Sequence, residues 1–103
     1  MYNAGSGEIT YNTSSIKYKD NVTDLAVDTS TVLNVRAREY DAKRDGSHHI
    51  GYIAEELDAV DTHFTWKDET GAAGGVEWFN MVVYLVEEVK KLRAELNALK
   101  AQN

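Results

Sequence analysis

The chain contains no cysteine, so a disulfide framework, a thiol nucleophile and a thiolate zinc site are all excluded. It has no apolar run of about 18 residues and no secretory signal pattern, so it is expected to be soluble, neither spanning a membrane nor directed for secretion. Positive charge is scarce, with 11 Lys and Arg against 17 Asp and Glu for a net charge of -6. A wide basic footprint for nucleic acid or anionic lipid is therefore not expected. The length of 103 residues allows one domain and rules out a large enzyme with separate substrate and cofactor lobes. What remains is a chain of 43% hydrophobic and 27% charged residues, a globular composition that is neither low-complexity nor disordered as a whole.

The N-terminal stretch Met1 to Thr13 is polar and interrupted by Gly5 and Gly7, with Ile9 and Tyr11 alternating against polar neighbours. That pattern predicts one short strand with nothing of its own to pack against. Ser14 to Val22 alternates again and predicts a strand or turn; a cap signal at Asp28 to Thr31 then predicts a short helix near 29 to 35. Arg36 to Ala42 and His49 to Ile53 read as strands joined by a hairpin at Asp45-Gly46. Ala54 to Val60 holds helix formers, Phe64 to Trp66 reads as a short aromatic strand, and Gly71 to Gly75 as a turn leading to Val76. The expected fold class is α+β: a small mixed body over 14–77, preceded by the polar stretch over 1–13.

From Trp78 the pattern changes. Trp78, Val82, Leu85, Val89, Leu92, Leu96 and Leu99 follow one another at spacings of 4, 3, 4, 3, 4, 3, a heptad seam. With Trp78 at d, Val82, Val89 and Leu96 occupy a, Leu85, Leu92 and Leu99 occupy d, Glu88 and Glu95 occupy g, and Arg93 and Lys100 occupy e. Parallel in-register helices pair g with e in this way. At about 1.5 Å per residue the helix is roughly 37 Å long, too long for the body to cover. Near its start Phe79, Met81, Val83 and Val86 widen the apolar face, which suits packing on the body. Beyond Val89 only another chain can cover the seam, so 78–103 is expected to form a coiled-coil oligomer. Val at a with Leu at d leaves two and three strands open.

Chemistry is concentrated in Ser14-Ser15-Ile16-Lys17-Tyr18-Lys19. A desolvated lysine can lose its proton near neutral pH and serve as general base to a serine, although two outward lysines on a polar edge strand need no catalytic role. Ser15 and Lys19, four apart, share a face of a strand or a helix, whereas Ser14 and Lys19, five apart, lie on opposite faces of a strand. Pairing Ser14 with Lys19 therefore needs a turn or bulge between them, or a neighbouring subunit. Other features stay bland: His48 and His49 point opposite ways on a strand and His63 is distant, so no metal site is expected. The glycine run lacks a following Lys-Ser/Thr and is no phosphate loop. Glu55, Glu56, Asp58 and Asp61 are read as a solvated helix face.

The run S-S-I-K-Y-K-D-N-V resembles the Ser-x-x-Arg/Lys-x-Lys-x-Asn-Ile/Val signature of the intramolecular chaperone auto-processing domain of phage tail fibres, tailspikes and endosialidases. Further along, V-L-N-V-R-A-R-E-Y-D is similar to that family's Leu-Arg-Pro-x-x-Tyr, I-G-Y-I-A-E-E-L to its Gly-Phe-Ile-Ala-Gln-Glu-Val, and V-E-W-F-N-M-V-V-Y-L to its Val-Asp-Tyr-x-x-Leu. Glu55 stands in place of the usual Gln, Trp78 in place of Tyr, and there is no proline. The resemblance implies a homotrimer assembled through the C-terminal helix, which registers an upstream fibre segment of the same polypeptide and then cuts itself off. It implies Ser14 as nucleophile, Lys19 as general base and Thr13–Ser14 as the scissile bond, with no cofactor and no metal. It also implies assembly in the cytoplasm of an infected bacterium, the chaperone part being absent from the mature particle once cleaved. A non-cleaving trimerisation tip is the alternative, and an adaptor with an exposed aromatic patch around Phe64 and Trp66 is a third reading.

Overall fold

A computed structural model describes residues 14–102; the strand expected at Ile9 and Tyr11, and Thr13 itself, lie outside the described residues. Two antiparallel hairpins and a short helix make the body, and a long helix follows. Strands β1 (Arg38–Asp41) and β2 (His48–Gly51) pair in the register Arg38 to Gly51 and Asp41 to His48. Their turn is built as the Asp-Gly pair predicts: Gly46 takes φ 74°, and the Asp45 carboxylate accepts from the Ser47 N–H at 3.0 Å and its hydroxyl at 2.6 Å. Helix α1 spans Ala54–Val60, with Glu55 and Glu56 in its first turn, where their charge suits the helix dipole.

The expected helix near 29 to 35 is a 3-10 helix, Thr29–Asn34, capped by the Asp28 side chain, which accepts from Ser30 N–H at 3.0 Å. The aromatic strand starts one residue late. Phe64 belongs to a 3-10 turn, Thr62–Phe64, and β3 runs Thr65–Lys67. Phe64 is fully buried, at 0% exposure, which removes the aromatic patch proposed around it. The glycine run is likewise more than a turn: Ala73–Val76 forms β4, paired with β3 through an irregularity at Trp66/Lys67, and the turn falls at 68–72, where Gly71 has φ +86°. The Trp66 indole lies across this strand so closely that a Cβ on Gly74 would meet it at 2.2 Å and one on Gly75 at 2.5 Å. Both positions need glycine while the ring stays there.

Helix α2, Trp78–Ala101, is continuous over 24 residues, and among the described residues no helix is long and apolar enough to cross a membrane. Its contact with the body is not the face that Phe79, Val83 and Val86 widen, since those three are exposed. Met81 and Tyr84 instead enter the core with Val32, Leu57 and Phe64, and Tyr84 meets Phe64 edge-on at 4.8 Å between ring centres. Three residues apart, Met81 and Tyr84 share one side of the helix, next to the heptad seam rather than on it.

The acidic cluster is not a solvated face. Glu56 forms a two-pronged pair with Arg38 at 2.9 and 2.6 Å, tying α1 to β1. Asp58 accepts from Thr65 at 2.7 Å and from Lys67, tying α1 to β3. Asp61 caps the turn at 62–64 and accepts from Thr31 at 3.1 Å. Only Glu55 of the four is exposed.

Candidate active site

The segment that carries the serine and lysine motif is neither strand nor α-helix but one 3-10 turn, Ile16–Tyr18. Ser15 makes it, because its hydroxyl accepts from the Lys17 N–H at 3.4 Å. Tyr18 and Lys19 then donate their N–H groups to the carbonyls of Ser15 and Ile16, each at 3.0 Å. The turn cancels the opposition of faces that a strand imposes at a spacing of five. Lys19 folds back over the arch, and its Nζ donates to the Ser14 carbonyl at 2.5 Å and stands 3.4 Å from the Ser14 hydroxyl. Of the two serines, Lys19 meets Ser14, while Ser15 is occupied in shaping the turn.

Every residue from Ser14 to Asp28 is exposed, Ile16, Tyr18, Val22 and Leu25 included. The Lys17 amine sits 5.1 Å above the Tyr18 ring. Beyond the arch, Asn21 takes φ 55° and is the one non-glycine residue with positive φ among the described residues. An amine 3.4 Å from a hydroxyl is at the outer edge of hydrogen bonding, and a working base comes to about 2.6 to 3.2 Å. The arrangement assembles the two groups without closing the last few tenths of an ångström.

The heptad residues form the second part of the site. Trp78, Val82, Leu85, Val89, Leu92, Leu96 and Leu99 are all exposed, Val89 and Leu92 at 62% and 63%. Trp78 leans on Tyr52, with 5.8 Å between ring centres. Glu88, expected to pair across chains, is taken up within this one: it accepts from the Thr29 hydroxyl at 2.6 Å and from Lys91 at 3.1 Å. Two clefts run along the helix beneath Leu25, of about 130 Å³ against His63, Asn80, Val83 and Tyr84 and about 400 Å³ against Asp24, Val83, Glu87 and Lys90. Neither is lined by Ser14 or Lys19.

The histidines serve the scaffold. His48 Nδ1 lies 2.8 Å from Asp41 and Nε2 3.0 Å from Glu39, and these carboxylates, Asp41 first, raise its pKa above 6.5. His49 contacts the Ser47 hydroxyl at 2.7 Å. His63 Nδ1 lies 2.9 Å from Asp61 and 3.0 Å from the Tyr84 hydroxyl. Burial and the neighbouring Asp61 push Tyr84 up to about 12. Burial also works to raise Asp61, but the His63 N–H and the Tyr84 and Thr31 hydroxyls hold it below the ordinary carboxylate range. Among the described residues no group of three or more His, Asp or Glu side chains is placed to hold a metal ion.

Residues 14–64 match the family model described as chaperone of endosialidase, peptidase S74. Over those residues the chain belongs to the endosialidase-chaperone family. The match opens on Ser14 and takes in the arch, β1, β2 and α1, so three of the four motifs that carry the resemblance fall inside it; V-E-W-F-N lies beyond. The family is one of self-cleaving peptidases, and membership implies association with fibre proteins. No curated protein and no solved structure matches the chain.

Proposed function

We propose that this chaperone domain trimerises through α2, brings three upstream fibre segments into register, and releases itself by cutting the Thr13–Ser14 bond. The observation that carries the reading is the Lys19 amine folded onto Ser14 by the turn at 16–18. Ser14 Oγ is separated from the Thr13 carbonyl carbon by its own Cβ, Cα and N, so attack closes a five-membered ring. Lys19 takes the hydroxyl proton, the C–N bond breaks, and the Ser14 nitrogen leaves as the amine after protonation, with the acyl group now held as an ester on Oγ. Water hydrolyses that ester to the Thr13 carboxylate and restores the hydroxyl. Only water is consumed, and no cofactor enters.

Trimerisation supplies what the arch lacks. An isolated fibre strand has no core and pays a loop-closure cost to find its neighbours, whereas three helices pairing their seams align all three chains from one end. Packing of neighbouring chains around the exposed arch would exclude water from the amine and bring it to the hydroxyl. Cleavage then follows correct assembly, in the cytoplasm of the infected bacterium, and the chaperone part is lost from the finished particle.

The test is the mass of the full chain after expression, and of a longer fibre precursor, each compared with Ser14→Ala. Cleavage should yield a product beginning at Ser14, and Ser14→Ala should remain whole and folded. A Ser14→Ala chain that splits at the wild-type rate overturns Ser14 as nucleophile. One observation favours a second reading, a trimerisation tip that stays attached: both groups of the pair are exposed in the single chain. An assembled wild-type precursor that stays intact would decide for it.

A further inference from the structure

We propose that the apolar face of α2 beside the seam, at Phe79 and Val86, docks onto the body of a second copy of this chain. The inference rests on the parallel coiled coil proposed above and adds to it a contact between helix and body. Phe79 is 78% exposed and Val86 51%, so the domain's own core leaves both bare. In the heptad they occupy e, the position that flanks a on the side away from g. The g side is already taken. Met81, at g, is buried in the core, and Glu88, at the next g, accepts from Thr29 of the 3-10 helix. Tyr52 brings the body up to Trp78 at the edge of the seam. The uncovered arc of the helix is therefore lopsided, running from d through a to e.

Parallel in-register helices set g of one chain beside the following e of the next. Val86 of one copy then comes beside Met81 of its neighbour, and Arg93 beside Glu88. Because each g side carries its own body, the surface that meets the incoming Phe79 and Val86 is the neighbour's body, at the rim made by Tyr52 and the 3-10 helix Thr29–Asn34. That helix carries an apolar side chain to receive them, Leu33, at 68% exposure. The chemistry of e also changes where the body's hold on α2 ends. Lys91 donates to Thr29 at 2.9 Å, and from Val89 to Gln102 every residue of the chain is exposed. The e residues are apolar at Phe79 and Val86 and basic at Arg93 and Lys100. The repeat by itself does not call for that switch, whereas a helix flanked by a neighbour's body along its first half does.

The chain has no cysteine, so Phe79→Cys and Val86→Cys can each carry a single benzophenone label in the full chain. Isotope-labelled and unlabelled chains are refolded together and irradiated, and mass spectrometry of the cross-linked peptides separates links between copies from links within one. Links between copies should reach Tyr52 and residues 29–35. In parallel, sedimentation follows assembly of wild type, Phe79→Ser and Arg93→Ser. Phe79→Ser should leave the circular dichroism of the dilute monomer unchanged, since the ring is exposed there, and raise the concentration for half-assembly at least about tenfold. Arg93→Ser, at e beyond the body, should change it less than about threefold. Links confined to one chain, or between copies only to α2, overturn the docking. So does an unchanged half-assembly concentration for Phe79→Ser, or an equal effect of Arg93→Ser. A wild type that assembles without these links sinks the docking alone; a wild type that stays monomeric at every concentration sinks the coiled-coil reading first and the docking with it.

Discussion

Thr29 donates its hydroxyl to Glu88 at 2.6 Å across 59 positions of sequence, and this bond joins the 3-10 helix of the body to the middle of α2. Lys91 closes the group, donating to Thr29 at 2.9 Å and to Glu88 at 3.1 Å. The Thr29 hydroxyl, first of these donors, holds the Glu88 carboxyl below its ordinary range. Glu88 therefore fastens α2 to its own body, in place of the g-to-e pairing between chains that the heptad repeat predicts of it.

Replacing Thr29 by Val should then weaken the body's grip on α2. The side chain is buried, at 4% exposure, and loss of its hydroxyl bond should cost about 1 kcal/mol, read as a lower urea midpoint. Thr29→Ser, which keeps the hydroxyl, should recover most of the loss. Destabilisation by Thr29→Ser with none by Thr29→Val would show that the methyl contact matters and the bond does not.

Truncation after Val86 should abolish self-association, because it removes Val89, Leu92, Leu96 and Leu99 from the seam. Each leucine buried between chains is worth roughly 1.5 to 3 kcal/mol, and three chains together lose more than a small domain's margin. Sedimentation should show monomers or aggregates. The full-length double variant Leu92→Asp, Leu96→Asp should likewise be monomeric and should cleave far more slowly; wild-type cleavage across a hundredfold dilution would separate cleavage from assembly.

The pH response should have two limbs. Asp41, then Glu39, favours the charged form of His48 in the hairpin; this contribution is complete below about 6.5 and is lost as pH rises through the higher folded value. Both partners are exposed, so the effect on stability is small. The ring titration by NMR should show the upward shift and its disappearance in Asp41→Asn, Glu39→Gln. On the acid side, Arg38 lowers Glu56, and Lys67, then Thr65, lowers Asp58. Those contributions are present above the ordinary carboxylate values near 4 and are lost as pH falls through the lower folded ones, so the ties from α1 should fail below pH 4. Circular dichroism should show an acid transition there, and Glu56→Gln should make stability less sensitive to acid.

Local rules carried much of the architecture. The Asp45-Gly46 turn, the helix at 54–60 and the cap at Asp28 depend on neighbours in sequence, and the heptad seam depends on a repeat; each could be read without knowing the fold. The serine and lysine of the arch were legible as residues, and the turn needed to join them followed from their spacing. Which of the open routes brought Lys19 to Ser14 depended on the 3-10 hydrogen bonds that Ser15 starts, and these are visible only in three dimensions. The same holds for Phe64, which the sequence placed on a short aromatic strand and packing against Tyr84 placed in the core. Glu88 read as a partner for another chain and Asp61 as a solvated charge, because a sequence does not say which hydroxyl will come to meet them from a distant segment. Periodicity determined which side of α2 is left apolar, whereas docking of Met81 and Tyr84 onto the body decided that this seam stays exposed, since a helix can bury only the side its own domain reaches.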